Sequence, residues 1–240
     1  MDEAIIKNPI IGQSKTFSYR YQIFLKRVLD VLLACIGLIL FTPIIILIII
    51  AIKIDSPGPV LYKHKRIGKD GKPFDLYKFR SMVAGGDDTS YMDYLRELIE
   101  SAKTNNGKPY RKMESDPRVT RVGEFLRKSY LDELPQFWNI LNGEMSLVGP
   151  RPHVQFEVDN YTDNELRRLS VKPGATGIWQ VYGKKDCTFR ELIELDLEYV
   201  EHWNLGLDLK LVWQTFLLML RGGEGSWTRM AKTIPGKNCN

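Results

Sequence analysis

The chain has 240 residues, 26% of them charged, and a formal net charge of +5. That is enough material for one globular domain with its own core, and the basic balance favours anionic partners without choosing among nucleic acid, lipid headgroups and phosphorylated metabolites. Cys35, Cys187 and Cys239 lie far apart with no CxxC pair, which argues against a disulfide framework or a zinc site and fits a reducing compartment.

Residues 1–25 read as an N-terminal cytoplasmic segment. No charge then appears between Asp30 and Lys53, so the run containing CIGLILFTPIIILIII is long enough to cross a bilayer, which takes roughly 20 apolar residues. A cleavable signal peptide fits poorly, because its apolar core is shorter and ends in a small-residue cleavage site. Pro43 lacks an amide hydrogen and bends a helix, while Thr42 can return a hydroxyl to the freed backbone. Basic residues flank both ends: Lys15, Arg20, Lys26 and Arg27 before, and Lys53, Lys63, Lys65, Arg66 and Lys69 after. Basic flanks favour the cytoplasmic side, so residues 26–55 are expected to form a re-entrant helix broken at Thr42-Pro43 that enters and leaves on one face. An ordinary kinked single-pass helix is the other reading.

After the turn cluster DSPGP, two strand-like runs, VLYKHKRIG and KPFDLYKFRSM, flank Lys69-Asp70-Gly71 and predict a β-hairpin. Residues 83–115 read as a variable insertion carrying a surface helix over 91–103, followed by the loop TNNGKP. Helices are expected over GEFLRKSYL and over DELPQFWNILNG. In the second, Leu134, Phe137, Trp138 and Leu141 form one stripe, Pro135 lies in the first turn, and Asn142-Gly143 ends it. CTFRELIELDLEYVEHW predicts an amphipathic helix. LDLKLVWQTFLLML is more apolar still, and is either a core helix or one lying at a membrane interface. Residues 56–220 thus form the main domain, with 221–240 as a loose tail. The fold class expected is α+β, mostly α.

The three histidines and the absence of a GxSxG motif turn attention to carboxylates. Asp132-Glu133 stands where a helix is expected to begin, and exposed amides there favour ionised Asp132, either as a plain N-cap or as a nucleophile or metal ligand. Arg127 and Lys128 precede the pair. GPRP follows it, with Arg151 between two prolines that limit its freedom, which suits phosphate but is also explained by a β-turn. KPGATGIWQVYG places Trp179 and Tyr182 in a glycine-rich stretch that could meet a base or sugar. Together these features point to phosphoryl transfer involving a lipid phosphate.

The pieces KRVLD, the central Thr-Pro, YKFRSM, LRKSYLDELPQFWNILNGEMSLVGPRP, KPGATGIWQV and ELDLEYV, in this order between Lys26 and about Leu220, resemble the bacterial sugar transferases, the monotopic polyprenyl-phosphate phosphoglycosyl transferases. The resemblance implies a compact cytoplasm-facing catalytic domain, mostly helical with a small β element and interfacial amphipathic helices. A re-entrant helix would dock it on the bacterial inner membrane. It also implies the transfer of sugar-1-phosphate from a nucleoside diphosphate sugar, with UDP as the expected nucleotide, to polyprenyl (undecaprenyl) phosphate. The product would enter exopolysaccharide, O-antigen or related glycan assembly. By the same resemblance Asp132 is the nucleophile, Glu133 and Asp132 hold Mg²⁺, and Arg151, Arg127 and Lys78 bind phosphate. Thr42 stands where many members have serine, residues 83–115 are longer than in the smallest members, and the first 25 residues cannot hold the extra membrane domain of larger relatives. No nucleic acid is expected as a partner, and a homodimer is compatible with the resemblance. The rival readings are a membrane-tethered module that binds anionic lipid and a magnesium-dependent lipid phosphatase.

Overall fold

A computed structural model describes residues 17–83, 85, 89–102, 108–109, 116–183 and 187–220; the expected segment up to residue 16, most of the loop after the 91–103 helix and the tail 221–240 lie outside these. The apolar run lies in one helix, α1, Phe17–Asp55, whose helical assignment continues through Thr42-Pro43. One element stands where two were expected. Pro43 withdraws one donor, from the carbonyl of Ile39, and the hydroxyl of Thr42 donates to the neighbouring carbonyl of Leu38 (2.7 Å) and not to the freed one. A single interior proline costs about 3 kcal/mol, and packing on either side of it holds the helix together. Lys26, Asp30, Ala34, Gly37, Phe41, Ile45, Ile48 and Ile52 recur at three- and four-residue steps and meet the rest of the domain along one stripe. A Cβ on Gly37 would stand 2.9 Å from the Phe137 ring, so glycine is what lets the segment carrying Phe137 approach there. The opposite face is apolar and open, with Ile39 76% and Ile54 81% exposed.

The predicted hairpin is present: β1, Leu61–Ile67, pairs antiparallel with β2, Pro73–Phe79, and Asp70 and Gly71 supply the two positive φ angles of the turn. The outer edge of β2 is closed by a side chain. Asn139 donates to the Asp75 carbonyl (2.7 Å) and accepts from the Tyr77 amide (3.0 Å), as a neighbouring strand would.

Helix α2, Thr89–Ala102, matches the expected insertion helix and buries Leu98, Ile99 and Ala102 against α8, Phe189–His202. Between them in sequence come α3, Arg121–Ser129, and α4, Gln136–Asn142, which ends at Gly143 in the left-handed region. Short helices follow: α5, Gln155–Val158, α6, Asp163–Leu166, and α7, Ile178–Tyr182. The pattern gave no sign of the parallel pair β3, Ser146–Val148, and β4, Gly174–Thr176, whose strands are too short to show alternation. Helix α9, Leu205–Leu220, is a core helix along one face. Leu211 and Leu218 lie in the core, while Leu209, Trp213, Phe216 and Met219 are exposed on the other face. The fold is α+β and mostly helical.

Candidate active site

Asp132 and Glu133 occupy a 3-10 turn, Leu131–Glu133, between α3 and α4. Tyr130, at φ 58°, ends α3 and reverses the chain into that turn. The expected helix start is corrected here: α4 begins at Gln136, with Pro135 as its cap and Asp132 a turn ahead of it. Pro135 has no amide to bond back to Leu131, so the backbone closes by i to i+3 bonds from Glu133 to Tyr130 (3.1 Å) and from Leu134 to Leu131 (3.3 Å). Asp132 is buried, 5% exposed, with Leu126 and Leu134 in the core cluster beneath the turn.

Glu133 receives Lys78 of β2 at 2.8 Å, which joins two residues that lie 55 positions apart. Arg127 sits half-buried in the last turn of α3. Its charge helps hold the Asp116 carboxyl below the usual carboxylate range, an effect due first to hydrogen bonds from Arg118.

The GPRP segment is tied at nearly every backbone atom. The Pro150 carbonyl accepts from Gly174 (2.9 Å), the Arg151 amide donates to Asp196 (3.3 Å), and the Arg151 carbonyl accepts from Arg168 (2.5 Å). The Pro152 carbonyl accepts from Arg66 (3.2 Å), and that of His153 from the Ile67 amide (2.9 Å). β4 can lie against this segment only because a glycine stands on each side, since a Cβ on Gly174 would fall 2.0 Å from the Gly149 nitrogen. The Arg151 guanidinium lies over the Trp179 ring, 5.8 Å from its centroid. Tyr182, offered with Trp179 as a surface for a base or sugar, is a core residue instead. It belongs to the cluster around Tyr199 and Leu211, and its hydroxyl donates to Gln214.

Behind Arg151 lies a buried polar relay with no motif in the sequence. Arg168 and Asp196 are paired with side chains 1% and 0% exposed, and Arg168 also donates to the Tyr161 hydroxyl, which meets His153 Nδ1 at 2.5 Å. Burial, followed by the charges of Arg168, Arg66 and Arg151, holds His153 neutral, well below the usual imidazole range. Asp196 did leave a trace in the sequence: it falls on the apolar face of its helix among Leu192, Ile193, Leu197 and Val200, where a carboxylate needs a partner. Arg168 left none.

The carboxylate turn and the arginine loop meet electrostatically at His64 of β1. Its imidazole is pushed down to about 3, first by burial and then by the charges of Arg66, Lys78 and Arg151. The site therefore joins a buried Asp132 to a partly exposed Glu133 paired with Lys78, and the charges of Arg66, Lys78 and Arg151 all act on His64. Among the described residues no three His, Cys, Asp or Glu side chains form a metal-binding group. Two hard carboxylates on one turn nevertheless fit Mg²⁺, which usually takes one or two protein carboxylates and completes its shell with substrate phosphates and water.

The profile of the bacterial sugar transferase family matches residues 21–222. The chain belongs to that family. This sugar transferase is 42% identical over 190 residues to the exopolysaccharide production protein ExoY of Rhizobium meliloti, a match covering 79% of this chain and 83% of that one. It is 41% identical over 201 residues to the undecaprenyl-phosphate galactose phosphotransferase of Salmonella typhimurium. It is 40% identical over 206 residues to the UDP-glucose:undecaprenyl-phosphate glucose-1-phosphate transferase of Escherichia coli. Those two matches cover 82% of this chain and only 41% and 40% of the relatives' length. With α1 long, apolar and largely exposed, this sugar transferase is membrane-associated.

Proposed function

We propose that the protein is a polyprenyl-phosphate sugar-1-phosphate transferase that takes sugar-1-phosphate from a UDP-sugar onto undecaprenyl phosphate through an aspartyl intermediate. The observation that carries the reading is the pair Asp132-Glu133, with Glu133 bonded to Lys78 and the Arg151 loop held rigid by its backbone bonds. Asp132 attacks the sugar-bearing phosphorus. The bond to the leaving uridine monophosphate breaks as the acyl phosphate forms, and an oxygen of the lipid phosphate then displaces Asp132. A carboxylate suits both steps because it is a nucleophile when ionised and a leaving group when displaced. Lys78 and Arg151 bind phosphoryl oxygens and offset the charge that builds as an anion approaches an anion. Lys78 also orients Glu133. Mg²⁺, held by Glu133 and Asp132, would add Lewis-acid polarisation of a phosphoryl oxygen.

The membrane arrangement is part of the proposal. Lys26 near one end of α1 donates to the Val148 carbonyl (2.9 Å) and pairs with Asp208 (2.7 Å), while Asp55 at the other end accepts from the Val122 amide (3.2 Å). Both ends of the apolar helix are thus bonded to one domain, which supports entry and exit on the same, cytoplasmic face, with α9 presenting Trp213 and Phe216 to the interface.

The test is to incubate purified protein in lipid with labelled UDP-glucose or UDP-galactose and undecaprenyl phosphate. The expected products are a lipid-linked sugar phosphate and uridine monophosphate, both abolished by Asp132→Asn. Full turnover by that variant would remove Asp132 from the chemistry. Release of free sugar phosphate without lipid product would mean a hydrolase.

A further inference from the structure

His64 reads in the sequence only as part of a strand, yet it stands between the two halves of the site. Strand register places Tyr62 opposite Lys78 and His64 opposite Leu76, so His64 and Lys78 are diagonal neighbours on one face of the hairpin. Lys78 reaches the Asp132-Glu133 turn from that face. On the other side of His64, Arg66 bonds the Pro152 carbonyl next to Arg151 and also lies 3.2 Å from His64 Nδ1. Arginine can only donate, so Nδ1 is the acceptor and the ring proton resides on Nε2. The ring is steadied by Tyr62 at 5.7 Å and by Tyr91 of α2 at 6.1 Å, and it is only partly covered. A partly exposed N–H donor thus sits between a lysine and an arginine that both favour anions.

We propose that His64 is a substrate-binding residue whose Nε2–H donates to a phosphoryl oxygen of the nucleotide sugar held between Lys78 and Arg151. This rests on the transferase reading above and adds a donor that carries no charge of its own. Arg66, which also lies 3.6 Å from Glu157, Lys78, which is paired with Glu133, and Arg151 place positive charge around the ring, and Tyr62 and Tyr91 pack against it. Binding through His64 is therefore independent of histidine ionisation in the free enzyme.

The experiment compares wild type, His64→Gln and His64→Phe for uridine monophosphate release from UDP-glucose and UDP-galactose, with melting temperature as the folding control. A hydrogen bond to a charged acceptor predicts a fall in kcat/KM of roughly ten- to hundredfold for His64→Phe, chiefly through KM. His64→Gln keeps a neutral donor and an acceptor for Arg66, and stays within about fivefold of wild type. The shape of the kcat/KM profile between about pH 5 and 8 is the same in all three proteins, because the free imidazole is already neutral. The proposal is overturned if His64→Phe keeps wild-type kcat/KM, or if His64→Gln falls as far as His64→Phe. It is equally overturned by a wild-type limb near pH 6.5 that His64→Gln removes. If wild type turns over neither sugar nucleotide, the transferase reading fails and takes this assignment with it, whereas turnover indifferent to residue 64 removes His64 alone.

Discussion

Replacing Arg168 by methionine strips the buried Asp196 of its guanidinium. Asp196 Oδ2 now accepts from Arg168 Nε (2.9 Å) and from the Arg151 amide (3.3 Å), and in Arg168→Met only the amide is left of these. Removing one partner of a buried ion pair costs about 3–5 kcal/mol, which for a chain of this size is a fall in melting temperature of roughly 6–20 °C. Removing both charges, as Arg168→Met with Asp196→Leu, restores most of that loss, because the expense lies in the stranded carboxylate. The double variant still falls short of wild type by roughly 1–3 kcal/mol, since the Arg151 carbonyl and the Tyr161 hydroxyl lose their donor. Burial raises the Asp196 pKa, and Arg168 opposes the rise. A pKa raised in the folded state means that stability is lost as pH rises through it, and losing Arg168 raises it further. The deficit of Arg168→Met therefore narrows as pH falls from about 8 to 5, while the double variant has no carboxyl at position 196 to titrate and its own stability carries no such term. Thermal melts of the four proteins at both pH values, read as a double-mutant cycle, measure this. A single variant that melts within a degree or two of wild type, or a double variant no better than the single, would refute the account of the relay.

The elements that the sequence revealed are those with a local signature. The apolar run became α1, the two alternating runs around Lys69-Asp70-Gly71 became the hairpin, and the amphipathic stretch from Thr188 became α8 with Thr188 as its cap. What could not be read depends on contacts remote in sequence. The β3–β4 pair rests on close approach of two glycine loops, and the turn under Asp132 rests on Pro135 denying a bond to Leu131. Asn139 reads as one more residue in a helix, yet its carboxamide closes the edge of a strand more than 60 positions away. Glu133 and Arg151 were visible as chemistry because they stand in short motifs. Their supports, Lys78 apart, were not, because a buried guanidinium such as Arg168 looks in sequence like any solvated one. Tyr182 shows the converse: an aromatic residue among glycines suggested an open surface, but its neighbours on α7 and α9 fold over it.

Lys78→Met leaves Glu133 without its 2.8 Å partner, and kcat for uridine monophosphate release should fall roughly hundredfold. Gly174→Ala forces a Cβ to 2.0 Å from the Gly149 nitrogen, and parting β3 from β4 should cost about 1–3 kcal/mol or more. Faster proteolysis together with lost activity would register it, and a fully active, equally stable protein would contradict the close approach. For the membrane arrangement, Tyr21→Cys and Lys63→Cys are introduced singly into a chain whose three native cysteines are replaced, and intact cells are treated with an impermeant maleimide. Residues 21 and 63 flank the apolar stretch of α1, and both are exposed. Re-entry predicts that neither labels until the cells are opened, and a crossing helix predicts that one labels from outside. Protection of both sites is the expected result, because the bonds of Lys26 and Asp55 tie the two ends of α1 to one domain. Putting Tyr21 and Lys63 on opposite sides of a bilayer would require one of those ends to leave the domain, and with it either the Lys26–Asp208 pair or the packing of Ile52 against Phe79 and Leu126.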